Sequence, residues 1–432
     1  MKRLIKNVRL VKDACSKAIQ DGMIVYEGNV ITYAGKRTDV VSNEYDQIID
    51  GNGCIAIPGL VNCHSHAPMV ILRNIANDMK LEDWLFGRIL PLEANLQGDD
   101  YYWGTMLAAC EMISSGTTCF LDMYLDMEQC AQAVLDSKMR ANISKNTLTS
   151  DKKTDRGTIF DGKAYEQFVK KYRGAGNGRI TTSMEIHSLY LYEPELIKQS
   201  VDLAVETNSI IHIHVLETQD EKKNIEAKYK MRALEAMDRM GMFNVPVVAA
   251  HMVHVDDVDI QFMKDKSIYP VHNPTSNLKL ASGVSPVDRM LKEGICVCLG
   301  TDGAASNNNV NMIEEMHIAS LIHKGVNRDS KLVSARETFQ MATLNGANAL
   351  NSKIGKLEEG SPADIVLLDE TGIHNAPGFG DPVEQIVYSM QGSDVKTVII
   401  DGETVMKNRE IIGLDTEKII AEVKSIRKRL ES

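Results

Sequence analysis

The sequence has no excess of positive charge and no long apolar run. Its 48 Lys and Arg residues against 59 Asp and Glu give a formal net charge of -11, so it lacks the basic face that a nucleic acid or an anionic membrane would require. No stretch approaches the roughly 20 apolar residues of a membrane span, and charge interrupts residues 1–6 before any signal-peptide run. We therefore expect a cytoplasmic protein whose partner is a small molecule.

The sequence also lacks any closely spaced cysteine pair of the Cys-x-x-Cys type. Its eight cysteines are scattered along the chain at positions 15, 54, 63, 110, 119, 130, 296 and 298. Cys296 and Cys298 lie inside an apolar run, which is typical of buried free thiols and not of a disulfide framework. We expect all eight to be reduced thiols, most of them buried.

Both ends of the chain carry a β pattern. Short apolar runs between glycine-containing turns predict strands at residues 23–26, 30–33, 363–368 and 395–400. A chain of 432 residues with 44% hydrophobic residues can form one large domain plus a smaller one. The two ends are therefore predicted to form a small β-sandwich domain, residues 1–57 and 360–432, beside a catalytic domain of residues 58–359.

Between the two ends, predicted strands alternate with predicted helices. A helix is expected from about Asp100 to Ser114, ended by Gly116, and it leads into a second strand. Counting the strand before His64 as the first, the remaining seven are predicted at residues 117–121, 141–144, 180–186, 209–214, 247–250, 267–271 and 295–299. Eight β-then-α units with short, nearly all-apolar strands predict an α/β fold, a parallel (β/α)8 barrel of the TIM type, because such strands are covered on both sides.

The first predicted barrel strand ends in a His-x-His motif, His64 and His66. Since successive side chains of a strand point to opposite faces, these two histidines share a face and can bind one metal ion. Functional groups of a (β/α)8 barrel lie at the carboxyl ends of the strands. The polar residues that follow other predicted strands are His187, His214, His251 and Asp302. This set of five histidines and one aspartate predicts a metal site.

Four segments of the chain resemble the amidohydrolase superfamily and, within it, the methylthioadenosine/S-adenosylhomocysteine deaminases. They are residues 58–66 (PGLVNCHSH), 212–218 (HIHVLET), 272–280 (HNPTSNLKL) and 299–308 (LGTDGAASNN). The resemblance implies a metal bound by four ligands, namely His64, His66, His214 and Asp302. It also implies that His251 lies beside the bound water and that Glu217 moves protons, so the implied catalytic residues are Glu217, His251 and Asp302.

The chemistry of these side chains is consistent with the implied roles. Three neutral imidazoles and one carboxylate suit Zn2+, although iron, nickel and cobalt also accept imidazole ligands. A metal lowers the pKa of its water toward about 7, and Asp302 or His251 can accept the proton. Glu217, three residues after His214, can deliver a proton to a ring nitrogen.

One metal per chain is expected. Two-metal relatives of the hydantoinase type need a bridging carboxylated lysine at the fourth strand, and residues 179–187 contain no lysine. Cytidine-deaminase-type zinc enzymes use His-x-Glu with Pro-Cys-x-x-Cys, and neither motif occurs in the sequence.

The resemblance also implies residues that bind the substrate. Glu93 occupies the position at which the resembled deaminases hold the two ribose hydroxyls, and His187 would meet the purine edge. Lys145 lies where the family has an arginine for the substrate carboxylate, and Arg156 is the candidate for a second arginine. The apolar run Trp84-Leu85-Phe86 is either a lid over the thioether side or a buried helix face. Glu217 and Asp302 would contact the substrate as well.

Three functions compete at this point. The first is hydrolytic deamination at purine C6 of 5′-methylthioadenosine, S-adenosylhomocysteine or adenosine. The second is a related hydrolase that deaminates or dechlorinates a free guanine, pterin or triazine ring, although a ribose-binding Glu93 argues against it. The third is a non-catalytic metal-dependent scaffold, which would not need Glu217 and His251. Relatives commonly form dimers or tetramers, so we also expect a homo-oligomer.

Overall fold

The structure is a computed structural model that describes residues 1–37, 44–150 and 158–431. Its strands are β1 (Lys2–Leu10), β2 (Ile19–Glu27), β3 (Val30–Lys36), β4 (Gln47–Asp50), β5 (Ile55–Pro58), β6 (Leu60–Ser65), β7 (Thr117–Met123), β8 (Arg140–Asn146), β9 (Leu148–Ser150), β10 (Thr158–Phe160), β11 (Ile180–Glu185), β12 (Ile210–Val215), β13 (Val247–His251), β14 (Ile268–His272), β15 (Cys298–Leu299), β16 (Ile365–Leu368), β17 (Val395–Ile400), β18 (Glu403–Lys407) and β19 (Glu410–Ile411).

Helices connect most of the central strands and cover them from outside. They are α1 (Leu81–Trp84), α2 (Leu90–Glu93), α3 (Asp100–Ser114), α4 (Met127–Ser137), α5 (Gly162–Tyr172), α6 (Ala175–Gly178), α7 (Pro194–Glu206), α8 (Gln219–Tyr229), α9 (Ala233–Arg239), α10 (Asp257–Met263), α11 (Pro274–Lys279), α12 (Val287–Lys292), α13 (Met312–Asn327), α14 (Ala335–Met341), α15 (Leu344–Ala349), α16 (Pro382–Tyr388) and α17 (Thr416–Glu431). A π-helical turn, Leu85–Ile89, joins α1 to α2, and short 3-10 turns occupy Ala67–Leu72, Met242–Asn244, Ile373–Asn375 and Gly392–Asp394.

The two ends of the chain build one nine-stranded sheet in the order β19-β18-β17-β16-β5-β1-β2-β3, with β4 paired to β1. Strand β5 joins the two ends because it pairs with β1 on one side and, antiparallel, with β16 on the other. Fully buried Ile55, Ile57 and Ile365 pack where these strands meet. The sheet predicted from both chain ends is confirmed, whereas the exact division into domains at residues 57/58 and 359/360 remains a prediction.

The middle of the chain forms a second sheet of eight strands in the order β15-β14-β13-β12-β11-β8-β7-β6, and all its pairs are parallel. At the seam between β15 and β6, the backbone N–H of Asp302 donates to the carbonyl of His64 at 2.9 Å. The predicted (β/α)8 barrel is confirmed. The predicted helix Asp100–Ser114 is α3, and the last barrel strand is shorter than expected, Cys298–Leu299.

The barrel interior is apolar near the amino ends of the strands and polar near their carboxyl ends. Small buried side chains fill the apolar part, namely Val61, Cys63, Cys119, Leu121, Val248, Val271 and Cys298. Above them Ser144 Oγ contacts Ser183 Oγ at 2.7 Å and His212 Nδ1 at 2.9 Å. This change from apolar to polar packing sets the floor of the site described below.

All eight cysteines are free thiols, as expected; Cys15 is exposed, Cys296 is half-buried and the others are buried. Among the residues that the structure describes, no helix is long and apolar enough to cross a membrane.

Candidate active site

The histidines and the aspartate predicted as a metal site meet at the carboxyl end of the barrel. His64 lies in β6 with His66 just after it, His214 is in β12, His251 ends β13 and Asp302 follows β15. The Nε2 atoms of His66 and His214 are 3.3 Å apart. Asp302 Oδ1 lies 3.3 Å from His66 Nε2 and 3.5 Å from His64 Nε2. Ligand atoms of His64, His66 and His214 lie within 4.8 Å of one another, and so do those of His64, His251 and Asp302.

Hydrogen bonds on the far side of each ring leave Nε2 facing this cluster. His66 Nδ1 donates to Met123 O at 2.6 Å, and His214 Nδ1 donates to His187 O at 2.9 Å. His251 Nδ1 donates to Asn277 Oδ1 at 2.8 Å. A proton fixed at Nδ1 leaves the Nε2 lone pair available, which is the usual arrangement of histidine ligands in metal sites.

His64 is held from behind by a residue that the sequence analysis did not single out. Its Nδ1 lies 2.9 Å from Nε2 of His212, whose own Nδ1 contacts Ser144. The Nε2 atom of His64 is buried and has no hydrogen-bond partner among the described residues. A buried ring nitrogen without a partner costs free energy, so a cation at this place would satisfy it.

The electrostatics of the cluster also fit a cation. Burial opposes a charge on His66, but the Asp302 carboxylate outweighs burial and raises the pKa of His66 to about 9. Burial lowers the pKa of His64 to about 3 and that of His214 well below its ordinary value. Burial likewise works against the Asp302 carboxylate, yet the nearby rings of His64 and His66 hold its pKa well below the usual range. The cluster therefore stabilises positive charge beside neutral imidazoles, as a divalent metal requires.

Further hydrogen bonds fix the Asp302 carboxylate. Ser276 Oγ and Ser306 Oγ donate to its Oδ2 at 2.6 and 3.1 Å, and the backbone N–H of Gly303 donates to Oδ1 at 2.7 Å. Asp302 itself has a left-handed φ of 63°, and His251 has a φ of 74°. Such conformations are uncommon for residues other than glycine and concentrate at functional sites.

Glu217 lies beside His251, with its Oε2 3.7 Å from His251 Nε2. Ser282 Oγ donates to the other carboxylate oxygen at 3.2 Å. The backbone N–H groups of Leu216 and Glu217 both donate to the buried carboxylate of Glu221, at 2.9 and 2.7 Å. Burial raises the pKa of Glu217, which favours its neutral, proton-carrying form.

A cavity of about 280 Å³ opens above the cluster. The residues that line it are His66, Met69, Leu81, Trp84, Leu85, Phe86, Leu90, Glu93, Met123, Tyr124, Leu125, Asn146, Glu185, His187, Tyr190, Leu191, Tyr192, His214, Glu217, Glu221, His251, Leu280 and Asp302. Its apolar rim includes Trp84, which is buried, and Phe86, which is 55% exposed. The run 84–86 therefore reaches the cavity, although Trp84 is also a core residue.

The structure brings Glu93 and His187 into this cavity, as the sequence analysis expected. Tyr124 Oη donates to Glu93 Oε1 at 2.6 Å, and burial raises the pKa of Glu93. The His187 ring centroid lies 4.6 Å from that of His214, and burial lowers the pKa of His187 to about 4. Glu93 is thus an acceptor oriented by Tyr124, and His187 is a neutral ring beside the candidate metal ligand His214.

The structure does not bring Lys145 into the cavity. Its Nζ lies 5.8 Å from the centre of the Phe168 ring, in the layer between β8 and helix α5. Strand alternation explains this placement, because Ser144 and Asn146 point into the barrel and the residue between them must point out. Arg156, the other expected cation, lies outside the described residues.

Sequence reasoning missed several polar groups of the cavity, among them Tyr124, Asn146, Glu185 and Glu221. Asn146 and Glu185 each stand at the last position of a barrel strand, β8 and β11. A polar residue at the end of a strand was the signal that could have identified them, because the same signal identified the histidines.

Comparison with known proteins gives the following matches. The chain matches the Amidohydrolase family over residues 55–405. A 5-methylthioadenosine/S-adenosylhomocysteine deaminase of Acetivibrio thermocellus is 47% identical over 434 residues, which span 100% of both chains. A 5'-deoxyadenosine deaminase of Methanococcus vannielii is 41% identical over 415 residues, 95% of this chain and 96% of the relative. A zinc-bound adenosine deaminase structure from Xanthomonas campestris has a TM-score of 0.92 at 29% identity, covering 99% of this chain and 98% of the other.

Proposed function

The chain belongs to the amidohydrolase family, and on that premise we propose that it hydrolyses the exocyclic C6–N bond of adenosine-type nucleosides. The products are the inosine-type nucleoside and ammonia. The proposed substrates are 5′-methylthioadenosine, S-adenosylhomocysteine and adenosine, in keeping with the names of the similar proteins. The observation that carries the proposal is that Glu217, beside His251, lines the same cavity as Glu93 and three of the four proposed metal ligands, His66, His214 and Asp302.

The proposed metal ligands are His64, His66, His214 and Asp302, and the proposed occupant is one divalent ion, with Zn2+ before iron, nickel or cobalt. The unpartnered Nε2 of His64 and the raised pKa of His66 support this ligand set. A divalent ion held there would lower the pKa of a water molecule toward about 7 and so supply the nucleophile at neutral pH.

Glu217 is proposed to carry the proton that activates the ring. Its raised pKa favours the protonated carboxyl group, and donation of that proton to purine N1 makes the adjacent C6 electrophilic. Water then adds to C6, and His251 Nε2 or Asp302 accepts the proton that the water loses. Return of a proton to the exocyclic nitrogen lets it leave as ammonia, and the C6 carbonyl forms.

The other side chains of the cavity are proposed to hold the nucleoside. Glu93 is an acceptor for the vicinal 2′- and 3′-hydroxyls, oriented by Tyr124, and a free base or a triazine has no such group. His187 is proposed to contact the purine edge. The apolar rim at Trp84, Leu85 and Phe86 suits a thioether substituent and limits the access of water.

The test is ammonia release from a panel of nucleosides and free bases by the metal-loaded enzyme. We expect release from 5′-methylthioadenosine, S-adenosylhomocysteine or adenosine, and little from guanine, pterins or triazines. Release from the free heterocycles alone would contradict the proposal. The homo-oligomer expected from the resemblance and the cytoplasmic location expected from the lack of long apolar runs remain predictions, the first open to light scattering and the second to cell fractionation.

A further inference from the structure

Two polar side chains of the cavity lie together at the ends of barrel strands that carry no proposed metal ligand. Asn146 ends β8 and Glu185 ends β11, and the two residues are paired in the register of these strands. Both line the cavity, and Glu185 is only 7% exposed. The proposed metal ligands come from the first, fifth and eighth barrel strands or their ends, and Glu217 follows the fifth. Strands three and four, which carry Asn146 and Glu185, contribute none of these groups.

The hydrogen bonds of Asn146 determine what it offers to Glu185. The backbone N–H of Leu148 donates to Asn146 Oδ1 at 2.6 Å, which assigns this atom as the amide oxygen. The amide nitrogen therefore points the other way and donates to Glu185 Oε1 at 3.2 Å. One oxygen of the buried carboxyl group is thereby satisfied.

The second oxygen, Glu185 Oε2, is buried and has no hydrogen-bond partner among the described residues. Burial raises the pKa of Glu185 to about 8. Of the described residues that line the cavity, none is a lysine or an arginine. The cavity therefore offers Glu185 no lysine or arginine, and the two cationic groups whose charge acts on it, His66 and Lys145, make no hydrogen bond with Oε2.

A second buried glutamate in the same barrel shows what a purely structural acid looks like. Glu315 of α13 is fully buried, its Oε1 accepts from Asn307 Nδ2 at 2.7 Å and its Oε2 accepts from the backbone N–H of Thr275 at 3.3 Å. Both of its oxygens are used to tie two loops together. Glu185 Oε2 accepts no hydrogen bond from the described residues, and this difference points to a donor that belongs to the bound ligand.

The chemistry of a nucleoside narrows the choice of that partner. This step rests on the proposed function. Adenosine carries hydrogen-bond donors only at the exocyclic amine, at the 2′- and 3′-hydroxyls and at the 5′ substituent. The amine is at the reacting carbon, and the two vicinal hydroxyls are assigned to Glu93. The free edge atoms of the purine, N3 and N7, are acceptors that cannot satisfy the carboxylate form of Glu185, and the purine edge is already assigned to His187. The 5′ substituent remains: a hydrogen-bond donor there would bind Glu185, whereas a thioether would contact the apolar rim at residues 84–86.

We propose that Glu185 and Asn146 form a subsite for a hydrogen-bond donor at the 5′ position of the nucleoside, either a hydroxyl or an ammonium group. Glu185 Oε2 accepts the bond, and Asn146 holds the carboxyl group in place through Oε1. An ammonium group is preferred over a hydroxyl because a charge-assisted bond is the stronger one. A 5′ carboxylate without a donor is disfavoured, since it would bring a second acceptor against Glu185.

Three nucleosides of matched shape test the proposal. 5′-Amino-5′-deoxyadenosine, adenosine and 5′-deoxyadenosine differ only in bearing an ammonium group, a hydroxyl group or hydrogen on the 5′ carbon, so that the last compound ends in a methyl group. We expect kcat/KM of the unmodified enzyme to fall in that order, with the amine about 10- to 100-fold above the methyl compound. Glu185→Gln should remove most of the preference for the amine, and Glu185→Met should remove the preference for the hydroxyl as well. Turnover of 5′-deoxyadenosine should change by no more than a few-fold in either variant.

The controls separate this subsite from general damage. Glu195→Gln, an exposed glutamate in the helix after β11, should leave all three kcat/KM values unchanged. Asn146→Asp adds an acceptor beside Glu185 and should raise the ratio of amine to methyl turnover, which gives a readout of opposite sign if the Glu185 variants fold poorly. Metal content and melting temperature should be measured for every variant.

The outcomes are distinct. Equal amine-to-methyl ratios in the unmodified enzyme and in folded Glu185 variants would overturn the subsite while leaving the nucleoside deaminase intact. Failure of the unmodified enzyme to deaminate any nucleoside, these three and the earlier panel included, would overturn the proposed function, and this subsite with it. A preference for the methyl compound over the amine in the unmodified enzyme would also overturn the subsite.

Discussion

Strands β8 and β11 have polar side chains at or next to both ends. Those at the amino ends are paired with opposite charges, whereas those at the carboxyl ends are only partly hydrogen-bonded. At the amino ends, Arg140 donates to Asp364 at 2.9 and 3.2 Å and to Asp401 at 3.0 Å, and Arg179 lies 3.1 Å from Glu403. At the carboxyl ends, Asn146 and Glu185 share one hydrogen bond and leave Oε2 without a described partner.

The difference follows from what each end faces. The amino ends meet the sheet built from the chain termini, so ionic groups there are neutralised by residues more than 200 positions away. The carboxyl ends face a cavity. There each histidine ring is fixed by a hydrogen bond at Nδ1, while its Nε2 stays open toward the cavity. One end of the barrel therefore uses polar groups to join two parts of the chain, and the other keeps them available for a ligand.

The largest effect is expected when a proposed metal ligand at the carboxyl end of the barrel is removed. His214→Ala should lose most of the bound metal and bring turnover to the limit of detection, while the barrel stays folded. Elemental analysis should find about one ion per chain in the unmodified protein. Two ions per chain, or full metal occupancy in the variant, would contradict the single-ion site; circular dichroism supplies the folding control.

The next change keeps the metal and removes a proton carrier. Glu217→Gln should keep the ion and bind nucleoside, yet lower kcat by roughly 10² to 10⁴-fold, the usual span of general acid–base catalysis. Steady-state kinetics with an equilibrium binding measurement separates the two effects. A variant with near-normal kcat would remove Glu217 from the mechanism.

At the amino end the expected effect is on stability and not on chemistry. Arg140→Met leaves the buried carboxylate of Asp364 without its cation and leaves Asp401 with Arg179 alone, at 3.5 Å, which should cost about 3 to 5 kcal/mol of unfolding free energy. Denaturant unfolding measures this loss, and kcat at a temperature where the variant is folded should be close to normal.

Lys138→Ala is the matched control for that experiment. Its Nζ lies 2.7 Å from Glu403, but its side chain is 54% exposed, so the change should cost less than about 1 kcal/mol. Equal losses of unfolding free energy in the Arg140 and Lys138 variants would show that burial does not set the strength of these ion pairs.

The smallest effect is expected at Lys145. The sequence predicts that Lys145→Ala lowers kcat/KM for S-adenosylhomocysteine, but its Nζ lies over the Phe168 ring and not in the cavity. We therefore expect the ratio of S-adenosylhomocysteine to 5′-methylthioadenosine turnover to stay unchanged. Arg156→Ala, in a segment outside the described residues, is the companion variant, and a several-fold drop there would assign the carboxylate contact to Arg156.

The order of the barrel and most of its site could be predicted because both rest on local patterns. His64 and His66 share a face whatever the rest of the chain does, since the side-chain period of a strand is two. The polar residues at the ends of predicted strands then fall together because parallel strands of one barrel present their carboxyl ends on the same side. The carbonyls that orient the rings belong to Met123, in the strand beside β6, and to His187, just after the strand beside β12, and they carry no signal of their own in the sequence.

The residue pattern alone was enough to locate the barrel strands approximately, with the last one shorter than expected, and to show that histidines and an aspartate stand near their ends. Only the tertiary structure decided which side chains of a strand face inward. Barrel strands are covered on both sides, so alternation in β8 carries no contrast between apolar and polar faces that would assign Lys145 and Asn146 to opposite sides. Packing of Lys145 against Phe168 on one side, and the hydrogen bond of Asn146 to Glu185 on the other, made that assignment.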